Sequence, residues 1–213
     1  MALVICAGVS SAERSSAETE MLYATKVPTG SSFVRVATGS ASPVKVAIGS
    51  SPAVPLDPSA TIVTNYHLAS GNNALTISID GKATTPVMVP ANRFITLIYR
   101  PGFDGPSFTS VTDEPGDDNG LRVELRFYNL VDRCTGSLAL QNGQAVFDRV
   151  AAGQSRSRSV NPVAATLFPK CGANVGDAFK LPRLKPQSQY SLFLVGVNSK
   201  PIVVGNMDAT EDR

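Results

Sequence analysis

Apolar and other residues alternate with a period of two along most of this chain. Val34 and Val36 alternate with Phe33 and Arg35, Val44, Val46 and Ile48 with Lys45 and Ala47, and Leu75, Ile77 and Ile79 with Thr76 and Ser78. That period puts successive side chains on opposite faces of a strand. Residues 94–99 (FITLIY) are almost continuously apolar, as in a strand covered on both faces. Gly39-Ser40, Gly49-Ser50, Gly71-Asn72-Asn73 and Asp80-Gly81 punctuate these runs. Asp80-Gly81 predicts a hairpin between 75–79 and 86–89. In the turn before the first strand, Gly30-Ser31-Ser32 reads as a strand entrance whose hydroxyls satisfy local backbone groups. No stretch carries the period of an amphipathic helix.

The pattern then starts again. Residues 112–120 (TDEPGDDNG) are acidic and rich in breakers, and read as a linker. Beyond them Leu121, Val123, Leu125 and Phe127 alternate with Arg122, Glu124, Arg126 and Tyr128. Further strands are expected at 137–141, 144–150, 159–168, 190–197 and 202–204. The halves align: FVRVATGSASPVKVAIG resembles LRVELRFYNLVDRCTGSLALQNG, and NRFITLIYRPGFDGPSFTSV resembles SQYSLFLVGVNSKPIVVGN. Short strands every 8–12 residues or so, in halves of about 90 residues, suit small β-sandwiches. The expected fold is all-β, with two tandem small antiparallel β-sandwich domains of immunoglobulin-like or jelly-roll-like build. They would span 22–111 and 121–213, either side of the acidic linker 112–120. A single long sandwich is the alternative.

Composition narrows the function classes. Charged residues are 17% of the chain and the net charge is +2, too little to imply a nucleic-acid partner. No apolar run reaches the length of a membrane-spanning helix. Residues 2–9 (ALVICAGV) followed by Ser10-Ser11-Ala12 read as a partial signal peptide cut near Ala12, which would place the mature protein in the periplasm. The basic front of such a signal is missing, so either the true start lies upstream or the run is a simple apolar tail. Ile5 before Cys6 argues against lipidation, and residues 13–20 read as disordered. Losing the leader leaves Cys134 and Cys171. An even pair in an exported protein suggests a disulfide, with two buried thiols as the alternative.

Candidate chemistry is sparse. The one histidine, His67, has no neighbouring G-x-S-x-G serine to activate. Gly176-Asp177-Ala178 carries alanine where GDS-type hydrolases and acetyltransferases carry serine, and no D-x-x-H follows. The acids Asp113, Glu114, Asp117 and Asp118 sit in the linker and do not form an EF-hand pattern. Two cysteines and one histidine without C-x-x-C spacing do not make a zinc site, and no P-loop or G-x-G-x-x-G predicts a nucleotide cofactor. No catalytic residue, cofactor or metal is therefore expected. Arg149, Arg156 and Arg158, around GQSRSRS, form a solvated loop or a contact for an anionic polymer. With no Trp, the aromatics available for sugar stacking are Phe33, Tyr99, Phe103 and Phe108. If Val34 and Val36 face the core, Phe33 and Arg35 face outward or toward a partner; a core aromatic is the favoured alternative for Phe33.

Leu22-Tyr23, Pro28 and Gly30-Ser31-Ser32-Phe33-Val34-Arg35 resemble the segment that opens the mature AlgF family of alginate O-acetylation proteins. Val160-Asn161-Pro162-Val163 and SQYSLFLVG resemble two later stretches of that family, in the same order. The resemblance implies a non-catalytic periplasmic adaptor of exopolysaccharide O-acetylation. Its partners would be a membrane-bound acyltransferase of the MBOAT class and a periplasmic acetyltransferase of the SGNH type. Related accessory proteins serve cellulose acetylation, so the polymer is alginate or cellulose. The Cys134–Cys171 pair and residues 168–185 depart from the alginate pattern. A carbohydrate-binding module that presents the polymer is the alternative, and an esterase using His67 is a third reading. The candidate contacts with a partner or the polysaccharide are Tyr23, Phe33, Arg35, Arg156 and Arg158.

Overall fold

The computed structural model describes residues 26–103, 105–114, 120–197 and 200–211. The leader, Cys6, Tyr23, Asp117 and Asp118 lie outside the described residues. The first half contributes β1 (Ser31–Thr38), β2 (Val44–Ile48), β3 (Val54–Leu56), β4 (His67–Ser70), β5 (Asn73–Leu75), β6 (Ile77–Ile79), β7 (Lys82–Ala83), β8 (Val87–Val89), β9 (Phe94–Gly102) and β10 (Gly105–Asp113). The second half contributes β11 (Val123–Asn129), β12 (Gly136–Leu140), β13 (Ala145–Val150), β14 (Ser155–Val160), β15 (Ala165–Cys171), β16 (Asn174–Val175), β17 (Phe179–Leu181), β18 (Gln189–Val197) and β19 (Lys200–Met207). The fold is all-β, as the alternation predicts.

The repeat extends to topology. One sheet of the first half runs β10-β9-β1-β4, and its counterpart in the second half runs β19-β18-β11-β14. The other sheets run β3-β2-β6-β7 and β13-β12-β15-β16, with β17 added on β15 and a separate β5–β8 ribbon. Each inner sheet contains one parallel pair, β1 with β9 and β11 with β18, so the sheets are mixed rather than purely antiparallel. Parallel neighbours need a long crossover, and the outer-sheet strands of each half supply it.

The two sandwiches stack, and three apolar layers result. Val34, Val36, Ile95 and Leu97 pack with Val46, Ile48, Leu56 and Ile77 inside the first sandwich. Leu125, Phe127, Leu192 and Leu194 pack with Leu138 and Phe147 inside the second. The opposite faces of the same inner strands meet each other, where Ala37, Ile98 and Val111 pack with Tyr128, Phe193 and Val204. Tyr128 and Phe193, paired across strands, stack at 4.8 Å between ring centroids, which adds stability beyond the buried area. β1 and β9 of the first half and β11 and β18 of the second are thus covered on both faces. This corrects the outward reading of Phe33 and Arg35: they are 8% and 1% exposed.

Local differences have local causes. Residues 75–79 are two strands in different sheets, because Thr76 breaks the run between β5 and β6. Asp80 (φ 50°) and Gly81 (φ 77°) form the hairpin turn with the left-handed residues a two-residue loop demands. The strand returning from it is β7, while Val87–Val89 pairs with β5. Residues 159–168 also split, around Asn161-Pro162, and the arginine-rich stretch read as a loop is strand β14. Thr112 and Asp113 belong to β10 rather than to a linker. Gly30 (φ 77°) shapes a turn closed by the bond from Ser31 N–H to Pro28 O. The buried Ser32 hydroxyl donates to Pro90 O and accepts from Arg93 N–H, so it serves as a structural hydroxyl.

Candidate functional site

The repeat places an arginine, a hydroxyl residue and an aspartate in equivalent positions twice. Arg35 on β1 lies opposite Thr96 on β9, and Arg126 on β11 lies opposite Ser191 on β18. Asp113 ends β10 opposite Phe94, and Asp208 follows β19 with its N–H on Gln189 O. The stacking brings both sets together between the inner sheets, all at 0–3% exposure.

The cluster exchanges partners between halves. Arg35 Nη1 donates to Asp208 Oδ1 at 2.6 Å, Nη2 donates to the Tyr128 hydroxyl and to Ser191 Oγ, both at 2.8 Å, and Nε donates to Thr96 Oγ1 at 2.9 Å. Arg126 Nη1 donates to Asp208 Oδ2 at 3.2 Å and Nη2 to Glu114 O at 2.6 Å. Asp113 accepts from the hydroxyls of Tyr66, Thr96 and Tyr128 at 2.5–2.9 Å. The Arg35 guanidinium also lies 4.3 Å from the centroid of the Tyr66 ring, a cation–π distance. Two guanidinium cations face two carboxylates, so the buried charge balances. Burial works against charge on Arg35, but Asp208 first, then Tyr128, Tyr66 and Asp113, raise its pKa well above the ordinary value.

Such a cluster holds two bodies in one orientation; closed to solvent, it offers no approach to a substrate. It does carry a pH signature. Burial pushes the phenols of Tyr66 and Tyr128 up, and Asp113 adds to this against the opposing pull of Arg35. In the unfolded chain they ionise near pH 10. Above that pH the folded state holds protons the unfolded state has released, so unfolding becomes easier. Stability is therefore expected to be unaffected by these groups below about pH 10 and to fall above it, by up to about 1.4 kcal/mol per pH unit for each tyrosine. Urea midpoints taken from pH 8 to pH 11 check this, and a profile flat to pH 11 contradicts it.

His67 lies at the surface end of the same region. Its Nδ1 is 3.1 Å from Ser51 Oγ and 2.9 Å from Glu211 Oε2. A serine relay places hydroxyl and carboxylate on opposite ring nitrogens; here both approach the same one. The carboxylate therefore cannot orient the ring for the hydroxyl, and the group ties the C-terminal segment to the first half. Tyr66 N–H donates to Ala209 O and Glu211 N–H donates to Tyr66 O, each at 2.9 Å, with Thr210 in a parallel bridge to Tyr66.

Of the contact candidates, Phe33 stacks on Phe94 at 5.1 Å and Arg35 is in the central cluster. Arg156 and Arg158 are exposed on β14, opposite Phe127 and Leu125 of β11. Among the aromatics weighed for stacking, Tyr99 is buried, Phe108 packs against the first core, and Phe103 is fully exposed in the turn between β9 and β10. Arg126 and Asp208 were not singled out from sequence, and Asp113 was read as part of the acidic linker. The signal was there: FITLI and QYSLF carry Thr96 and Ser191 in step with an arginine on the neighbouring strand. Cys134 and Cys171 are joined in a disulfide, with Cα atoms 5.5 Å apart.

Residues 5–178 match the family described as Alginate O-acetyl transferase AlgF. The chain is 28% identical over 166 residues to the alginate biosynthesis protein AlgF of Pseudomonas fluorescens, covering 78% of this chain and 73% of that protein. A solved structure, CBMbc of family CBM26 from Eubacterium rectale Amy13K in complex with maltoheptaose, is similar at 12% identity over 84% of this chain and 98% of that one, with a TM-score of 0.29. A score that low carries no argument about sugar binding here.

Proposed function

The chain belongs to the AlgF family, and from that premise we propose that it is a non-catalytic periplasmic adaptor for O-acetylation of a secreted exopolysaccharide, alginate or cellulose. It links a membrane acyltransferase of the MBOAT class to a periplasmic acetyltransferase of the SGNH type. Holding the two together raises the effective concentration of one at the other without any chemistry of its own. The observation that carries this reading is where the polar groups are used. The Arg–Asp–Tyr cluster is buried between the halves, and Ser51 and Glu211 share one nitrogen of the chain's single histidine.

Deleting the gene is expected to leave polymer secretion intact and to strip the polymer of acetate, read by ester assay on the purified polysaccharide. His67→Ala is expected to leave acetate unchanged. Failure to co-purify with either acyltransferase counts against the adaptor, and loss of acetate in His67→Ala revives the esterase. A second reading, presentation of the polymer itself, is favoured by one observation, the fully exposed Phe103. Flat calorimetry with oligouronates and cello-oligosaccharides removes it.

A further inference from the structure

We infer that the outer edge of β14 docks an extended, carboxylate-bearing segment of a partner protein, by strand addition. This rests on the adaptor reading and names its surface. The template is inside the molecule. β4 and β14 are the equivalent outer strands of the two inner sheets. Val34 lies opposite His67 and Leu125 opposite Arg158. Val34 and Leu125 each precede the clustered arginine, so His67 and Arg158 hold equivalent places, as do Tyr66 and Ser157. On β4 the chain caps its own edge: the 209–211 backbone brackets Tyr66 with two hydrogen bonds, and Glu211 sets its carboxylate on His67. A backbone pair and a carboxylate on a nitrogen-bearing side chain are thus the way this fold covers such an edge.

On β14 the equivalent groups carry no such cap among the described residues. Arg156, Ser157 and Arg158 are all exposed. Asn129 N–H donates to Gln154 O, which fixes the alternation of the antiparallel ladder with β11. Ser155, Ser157 and Ser159 then direct N–H and C=O away from β11, toward the free edge. Arg156 and Arg158 project from one face about 7 Å apart, the spacing of alternate residues on an added strand. Arg158 Nη1 donates to Val146 O at 3.2 Å, which anchors that fork at one corner. An open edge invites pairing of any kind. Two arginines select among partners: a second β14 would bring like charges together, whereas an acidic strand gains main-chain bonds and carboxylate–guanidinium pairs.

The test uses the full chain in its host. Ser157→Pro removes the outward N–H and leaves the bonds to β11 in place. Arg156→Glu with Arg158→Glu reverses the charge at exposed positions, and serves alone if the proline variant does not fold. Each is expected to keep the wild-type unfolding midpoint and to weaken docking about tenfold, the equivalent of one hydrogen bond, seen as a matching fall in polymer acetate. Ser157→Ala is expected to change nothing. A photo-crosslinking residue at 157 is expected to map to an extended acidic segment of one partner. If both variants acetylate like wild type while the gene deletion strips acetate, the edge is wrong and the adaptor reading stands. If the deletion itself leaves acetate in place, the adaptor reading fails, and the crosslink still decides the edge. Crosslinks to a second copy overturn the proposal. So does oligouronate binding that the arginine variant loses and Ser157→Pro keeps, since the occupant is then a polyanionic polymer.

Discussion

Replacing Arg35 with leucine is expected to destabilise the protein by about 3–5 kcal/mol, the cost of stripping a buried carboxylate of its partner. Arg35 serves Asp208, Ser191, Tyr128 and Thr96 at once. The leucine leaves those acceptors in a closed space, with Arg126 the cation still bonded to Asp208. Lysine is expected to rescue little, because one ammonium cannot reproduce a planar fork that meets four oxygens. For a chain of this size the change lowers the melting temperature by about 10 °C. The informative control is the double variant Arg35→Leu with Asp208→Leu, which removes both members of that ion pair. Coupling between the two substitutions of at least about 1 kcal/mol is expected, because they share a network. Urea unfolding of the four proteins at pH 7 gives the cycle. A single-variant loss below about 1 kcal/mol would sink the idea that this cluster locks the halves together.

The second large effect is expected on removing the disulfide. Cys134 and Cys171 are 37 residues apart, and closing a loop of that length stabilises by roughly 4 kcal/mol in the chain-entropy view. The link stands next to the register pair Gly136–Cys171, so it ties β12 to β15 in the outer sheet of the second half. The same corner is braced from the inner sheet, where Asn129 Nδ2 donates to Cys134 O and to Val150 O. Cys134→Ala with Cys171→Ala is therefore expected to loosen the second sandwich before the first. Hydrogen exchange should show early loss of protection in β12 and β15 with β1 and β9 still protected. Uniform loss across both halves, or unchanged stability with and without reductant, would contradict this.

The strands were legible because a pleated sheet writes its two faces into alternate residues. Val44, Val46 and Ile48 obey that rule with Lys45 exposed between them. The rule misled at β1 and β11, where the residues opposite the sandwich core are covered by the other half. Nothing local distinguishes a guanidinium aimed at solvent from one aimed at a carboxylate far along the chain. Asp113 failed for the same reason: in TDEPGDDNG it looks like the first acid of a solvated run, yet it accepts three buried hydroxyls. Repeat alignment had the means to find both. The first half offers FVRVA and the second offers two arginines, Arg122 and Arg126. Only the register with Arg126 keeps a hydroxyl and an aspartate in step in both copies. The exposed arginines of β14 were visible as a basic run. Their strand was not, because Ser and Arg alternate through residues 155–159 and Val160 is its one apolar member.

The reach of the central contacts also sets a timetable. Arg35 meets Asp208 across 173 residues, and His67 meets Glu211 across 144. A chain made from its N-terminus cannot close either contact until residues 208–211 are available. Until then the first sandwich carries a bare apolar face and a cation without its counterion. Final docking is thus a single late event, and it waits on the slowest kind of contact to form. A product that stops short of Asp208 never hides that face, so incomplete copies carry a visible mark for proteases and chaperones to read.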